Sequence, residues 1–253
     1  MTMKKSILFI LLSLFAAVLS ACHIQKESTA GFISPETIAD LVPSLKSDEN
    51  VILITESGEY IPYTVLCSNY SGGVLICRQN LIDESVAYQS ESIFGAGGSY
   101  YADSMIDQYL NHTFIKRYSP KLRSLMIDAD IVITAKETIT RGDYRRTTET
   151  IRRAVFLLSA EELGIKDGYL AREGNPIPWF ETEQHRYSPS TQWLRSAYLW
   201  DDTHAWVLDG NYNYSENITK KHSCKPALVL PKNLAIEKMN DQGQTVYCLK
   251  NEK

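Results

Sequence analysis

Short β-rich runs and segments of helical period succeed one another along this chain without settling into a strand–helix–strand rhythm. Residues 51–55 and 60–67 are rich in β-branched and aromatic side chains, and Glu56-Ser57-Gly58-Glu59 between them reads as a hairpin turn. Residues 74–78 continue that sheet after Gly72-Gly73. Between 102 and 115, Met105, Ile106, Tyr109, Leu110 and Phe114 recur at helical spacing. Ser34-Pro35 and Ser119-Pro120 each place a capping hydroxyl before a proline suited to a first turn, so a short helix is expected at each. Residues 130–135 alternate as a strand. The polar, Arg-rich stretch 138–153 reads as an exposed loop or a long hairpin, and 154–158 as a buried strand. Ser159 and Glu162 spell a capping box. Residues 174–187 are irregular, whereas 192–195, 205–209 and 227–230 read as late strands, with a tight turn at Asp209-Gly210. Because βαβ units are not repeated, the expected class is α+β: a mixed, mainly antiparallel sheet with a few short helices.

The first 22 residues address the chain rather than fold it. Lys4 and Lys5 precede an uncharged apolar run, residues 6–20. A spanning helix takes roughly 20 such residues, so the run is short for one and fits a secretory signal peptide. Leu19-Ser20-Ala21-Cys22 has the form of a lipobox. Cleavage before Cys22 is expected, with a diacylglycerol on its sulfur and a fatty acyl chain such as palmitate on its amine, the multiple chains that stable anchoring takes. The alternative is an uncleaved anchor with an incidental cysteine. The expected organisation is a signal peptide over 1–21, a lipidated tether over 22–31 and one α+β domain over 32–253. Its place would be outside the cytoplasm, with the membrane as a partner through the lipid on Cys22. Removing residues 1–21 leaves 232 residues and shifts the formal charge from −4 to −6 as Lys4 and Lys5 are lost. An acidic balance argues against nucleic acid as a partner.

An oxidising compartment permits disulfides among Cys67, Cys77, Cys224 and Cys248. Cys67 and Cys77 flank the Asn69-Tyr70-Ser71-Gly72-Gly73 turn and can face each other across a hairpin. Cys224 and Cys248 both sit in late strand-like stretches. Sequence alone does not choose a connectivity, and four buried free thiols remain the alternative. None has the spacing of a zinc site, and no metal or cofactor is expected.

Several segments, taken in order, resemble a bacterial family of domains of unknown function found on secreted and lipid-anchored proteins. They are Tyr63-Thr64-Val65-Leu66, Val74-Leu75-Ile76, Leu110-Asn111-His112-Thr113-Phe114, residues 155–159 with Glu161-Glu162, Trp193-Leu194-Arg195-Ser196 and Lys225-Pro226-Ala227-Leu228. The resemblance covers residues 60–231. Lys225 stands where the family pattern has Arg, which keeps the charge and loses the planar fork. The family in turn looks like C-type-lectin-like folds of the formylglycine-generating-enzyme type, which implies a variable ligand face after the Trp193–Ser196 segment. The cysteine pair of those oxidising enzymes is not recognisable, so a binding fold is implied more than that chemistry.

The richest candidate surface is residues 198–214, with Trp200, Asp201, Asp202, His204, Asn211, Tyr212, Asn213 and Tyr214. Aromatic and amide side chains of this kind supply rigid contact area and adaptable hydrogen bonds, which suits a glycan or a protein ligand. The competing view makes Trp206 and Val207 core strand residues and the Asn/Tyr run a polar hairpin tip. Trp193 and Arg195 are assigned to the core. Lesser candidates are a calcium loop over residues 209–213, an acid–base group of Glu181, Glu183 and His185 on an extended strand, and the Arg141-Gly142-Asp143 tripeptide. Arg145, Arg146, Arg152 and Arg153 read as a solvated basic face. The leading expectation is a non-enzymatic ligand-binding module. The alternatives are a cell-envelope or glycan-acting hydrolase and a structural or accessory lipoprotein.

Overall fold

The computed structural model describes residues 35–42, 50–141, 146–241 and 244–250. The expected signal peptide, the tether with Cys22, and Ser34 lie outside these residues. The strands are β1 (Val51–Glu56), β2 (Glu59–Tyr70), β3 (Gly73–Arg78), β4 (Val86–Ala87), β5 (Ala129–Thr134), β6 (Thr148–Arg153) and β7 (Val155–Phe156). They continue with β8 (Ser188–Ala197), β9 (His204–Gly210), β10 (Tyr212–Asn217), β11 (Lys221–His222), β12 (Ala227–Leu230), β13 (Ile236–Asp241) and β14 (Gln244–Leu249). Short helices are α1 (Met105–Gln108), α2 (Pro120–Leu125), α3 (Lys136–Arg141) and α4 (Glu183–Arg186). The fold is therefore α+β and mostly β, with mainly antiparallel sheets.

A seven-stranded sheet in the order β13-β14-β1-β2-β3-β12-β7 forms the largest layer. All its pairings are antiparallel except β1 with β14. The β1–β2 hairpin closes because Ser57 and Gly58 both take positive φ, 51° and 91°, which matches the twist of the flanking strands. A second sheet has the order β10-β9-β8, and two-stranded ladders join β11 to β4 and β5 to β6. Ile38, Ile52, Tyr63, Leu75, Phe114, Val155, Trp193, Val207 and Leu228 are among the side chains that share one buried core.

Several local expectations shift by a few residues. The first helical turn is Ile38–Leu41. Thr37 opens it: its amide and hydroxyl each donate to Asp40 Oδ2 at 2.9 Å. Ser119 caps α2 as its proline implied, accepting from the Leu122 amide at 3.0 Å. The helical region beginning at α1 runs on without a break through Tyr109–Thr113 and Phe114–Arg117. Of the two readings of 138–153, the hairpin forms: β6 pairs with β5 from Ala129↔Arg153 to Thr134↔Thr148, with α3 placed before it. Residues 174–187 hold two short helical turns, Pro178–Glu181 and α4.

Arg195 on β8 ties the sheets together. It is wholly buried, and its Nε donates to Val132 O on β5 at 3.0 Å. Nη1 and Nη2 grip Glu162 at 2.7 and 2.8 Å, and further bonds reach Leu157 O and Glu173 O. Burial works against the charge, but the Glu162 carboxylate outweighs it and raises the guanidinium pKa. Glu162 also completes the capping box with Ser159, although a turn and not a helix follows. Next to it the buried Glu173 carboxylate accepts from the Thr134 amide and hydroxyl and the Ser196 hydroxyl. Burial raises its pKa against the lowering effect of Arg195 and those bonds. Trp193 is fixed by Nε1 donating to Val86 O at 2.9 Å and by edge-on contacts with Tyr88 and His222. The core role expected of Trp193 and Arg195 is the one the structure gives them.

Of the two readings of the cysteines, the free thiol is the one that Cys67, Cys77 and Cys224 show. The β2–β3 register shifts on both sides of Cys67, and Cys67 lies opposite Leu75 while Cys77 lies opposite Thr64. Cys224 precedes β12, and Cys248 lies in β14 opposite Glu237. Burial pushes the Cys77 thiol up to about 12, which makes it a small hydrophobe rather than a nucleophile.

Candidate functional site

The loop between β8 and β9 is a tight, backbone-bonded turn. Tyr198 N donates to His204 O, Asp201 N to Tyr198 O, and His204 N to Asp201 O. Leu199 N donates to Tyr169 O at 3.1 Å, fastening this turn to the segment around Tyr169. The apex residue, Trp200, is 71% exposed, and Tyr169 beside it is 43% exposed. The rings form a connected series. Trp200 meets Tyr169 edge-on at 5.7 Å, Tyr169 meets Tyr198 at 5.5 Å, and Tyr198 meets the buried Trp206 at 5.8 Å. Each such contact adds about 0.5–1.5 kcal/mol beyond simple burial. The exposed rings are therefore anchored to the core.

Carboxylates border this shelf. Asp167 Oδ1 accepts from the Tyr169 amide at 2.8 Å. Asp201 accepts from the Thr203 amide and hydroxyl at 2.9 and 2.6 Å and approaches His204 Nδ1 at 3.1 Å. Partial burial would raise the Asp201 pKa, but Thr203 and His204 together hold it below the usual carboxylate value. The Tyr198 phenol is shifted upward by burial, Tyr169 and the nearby Asp167 and Asp201. The result is a preorganised aromatic surface with fixed acceptors at its rim. It can pack against the apolar face of a flat ring while accepting hydrogen bonds from hydroxyls or amides.

Not all the expected surface residues gather here. Tyr212 lies opposite Asp209 and Tyr214 opposite Val207, whereas Trp206 lies opposite Ser215 and His204 opposite Asn217. Directly paired residues share a face and neighbours alternate. Tyr212 and Tyr214 therefore project from the face opposite Trp206 and His204, away from the shelf's side of the sheet. There Thr191 donates to Asp209 Oδ2 at 2.8 Å and lies 3.5 Å from the Tyr214 hydroxyl. Asn211 occupies the β9–β10 turn. Asn213, opposite Leu208, is on the shelf's face but at the far end of β10.

Asp202 points inward. Its carboxylate accepts from Gly95 N at 2.9 Å and Gly97 N at 2.6 Å, and its carbonyl accepts from Ser99 N. Gly95 and Gly97 have φ of 79° and 74°, a conformation that favours glycine. Asp202 is thus a brace that holds the loop carrying the exposed Ile93 and Phe94.

The lesser candidates disperse. Glu181 and Glu183 lie on successive helical turns, not on one extended face. His185 stacks flat on Trp179 at 3.7 Å and donates from Nδ1 to the Trp179 carbonyl at 2.6 Å. Among the described residues no three His, Cys, Asp or Glu side chains group as a metal site. Gly142, Asp143 and Arg145 lie outside the described residues. Arg152 keeps the solvated position expected of it, beside the exposed Asp130, whereas Arg153 is drawn in to Asp103 and Asp107.

Tyr169 is the shelf residue that the sequence did not announce. It follows Lys166-Asp167-Gly168 in a turn, and the bond from Leu199 and the ring of Tyr198 bring it to Trp200. The pattern of the family described as a domain of unknown function (DUF6273) matches residues 71–232. No curated protein and no solved structure matches the chain.

Proposed function

The chain belongs to the DUF6273 family, and from the geometry of its surface we propose that it is a non-enzymatic glycan-binding module. The observation that carries this reading is the solvent-facing Trp200–Tyr169 pair, rooted on Tyr198 and Trp206 and bordered by Asp167 and Asp201. A polysaccharide or glycan chain would lay a sugar face on these rings and direct hydroxyls to the carboxylates. The resemblance to C-type-lectin-like domains belongs to the same proposal, since it implies a ligand face after the Trp193–Ser196 segment. The lipobox at Cys22 supports display outside the cytoplasm on a membrane, which suits capture of external polymers.

The hydrolase alternative draws no support from the acidic residues. Asp202 is a loop brace, Asp209 is turned to Thr191, and Asp201 is turned to Thr203 and His204. A glycan array probed with the full-length chain tests the proposal, with Trp200→Ala and Tyr169→Ala as controls. Binding that both substitutions abolish is the expected result. A surface that retains no glycan, or retains it equally in both variants, would count against it, and selective capture of a protein ligand instead would move the reading to protein recognition. Anchoring is tested separately: a labelled fatty acid should enter the wild-type chain in cells and not Cys22→Ser.

A further inference from the structure

A cavity of about 370 Å³ opens between the end of β2, β5 and residues 174–178, a volume in the range of small-molecule sites. Its inner end is formed by Tyr70 and Glu162, and Asn69, Ser71, Asp130 and Asn175 bring polar side chains to its walls. Glu162 is almost wholly buried, and both of its oxygens are engaged. Oε1 accepts from Arg195 Nη2 at 2.8 Å and the Tyr70 hydroxyl at 2.6 Å, while Oε2 accepts from Arg195 Nη1 at 2.7 Å and Ser159 N at 3.0 Å. The carboxylate is thus matched in charge and has no strong position left for a ligand. Its effect is on Tyr70: the phenol proton is committed to Glu162, and the phenol oxygen, which also faces the Arg195 guanidinium, keeps one lone pair as an acceptor. The Tyr70 ring is itself held by stacking on Phe156 at 5.7 Å.

Gly174 keeps this inner end open. Its φ is +105°, and a Cβ there would stand 3.2 Å from Glu162 Oε1. The remaining polar groups are balanced as well. Asp130 is paired with Arg152 at 2.9 Å. Asn69 uses its carbonyl on Lys232 at 3.2 Å, which leaves its amide hydrogens. The Ser71 oxygen accepts from Asp130 N at 2.8 Å, which leaves its proton to donate. Asn175 offers both a donor and an acceptor. Donors and acceptors both line the space, the carboxylates of Glu162 and Asp130 are each paired with an arginine, and the Lys232 ammonium stands behind Asn69.

We propose that this cavity is a second ligand site, distinct from the aromatic shelf, for a single neutral polyhydroxyl ring such as a sugar unit or cyclic polyol. Tyr70 and Asn175 bind the ligand, and Glu162 and Arg195 are positioning residues. The site stands whether or not the shelf binds a glycan. The test is a titration of the isotope-labelled full-length chain with glucose, galactose, N-acetylglucosamine and myo-inositol, followed by amide chemical shifts. Tetramethylammonium and acetate serve as charged controls. At least one neutral probe should move the amides of Tyr70, Gly174 and Asn175. Tyr70→Phe and Asn175→Ala should each weaken that binding about fivefold, the loss of one hydrogen bond, while Trp200→Ala leaves it unchanged. Asn175 is exposed, so its substitution keeps the test intact if Tyr70→Phe disturbs folding. Shifts confined to the shelf, no shifts with any neutral probe at saturation, a response only to the charged controls, or wild-type affinity in Asn175→Ala would each overturn the proposal.

Discussion

Arg195 shows how much a single side chain can organise in this protein. Five hydrogen bonds leave its guanidinium, three for the carbonyls of Val132, Leu157 and Glu173 and two for Glu162. Removing one partner of such a buried pair strands the other, at a cost of about 3–5 kcal/mol. Arg195→Ala should therefore lower the unfolding free energy by about that amount in denaturant titration, and a loss under 1 kcal/mol would show that the hub is not central. His222 gives a second handle. Burial depresses its pKa below 6.5, against the pull of Glu216. A depressed group favours the native state fully above its unfolded pKa and loses that contribution as pH falls through the native one. Stability should thus fall on acidification below 6.5, and His222→Phe should remove part of that slope, read from melting curves across the range. The aromatic and arginine of the Trp193–Ser196 segment were legible as core from sequence because both flank apolar strand positions. Tyr169 was not, because its partners Tyr198 and Trp200 come from a loop some thirty residues on.

At the scale of elements, hairpins and turns were easier to read than the faces of strands. The turns at Ser57-Gly58, Ser119-Pro120 and Ser159–Glu162 carry their own chemistry, so the sequence announces them. Strand β9 does not announce its faces. Ala205, Trp206, Val207 and Leu208 are all buried, and a strand covered on both sides loses the alternation that would tell one face from the other. That is why Trp200 and Tyr212, close in sequence, were expected on one surface and lie on opposite sides of the sheet. The β2–β3 register is hidden in the same way, since it shifts on both sides of Cys67 and such slips cannot be seen without the partner strand. The Asp202 brace is also an element-scale feature, because it joins two loops more than a hundred residues apart in sequence. Asp202→Ala should leave the Gly95 and Gly97 amides unpaired and speed their hydrogen exchange at least about tenfold. Unchanged exchange would mean that the loop holds its shape without the carboxylate.

Across the whole molecule, the family match and the fold have different boundaries. The match begins in the β2–β3 turn and ends just past β12. Strands β1, β2, β13 and β14 lie outside it, yet they supply four of the seven strands in the main sheet. The α+β class and its antiparallel bias were legible because they follow from the order of short strands and helices. The parallel pairing of β1 with β14 was not, because it joins opposite ends of the chain and no local pattern encodes it. The same division runs through the proposed binding face. Its turn and its tryptophan are local, and its second ring comes from a separate loop. The most direct measurement of the account is the affinity of the strongest array glycan for the wild-type chain and for Trp200→Ala, taken with the unfolding midpoint of each. Trp200 is mostly exposed, so the expected result is at least about a tenfold loss of affinity, of hot-spot size, with the midpoint lowered by no more than about 4 °C, the share of its contact with Tyr169. Equal affinity in the two chains would contradict it.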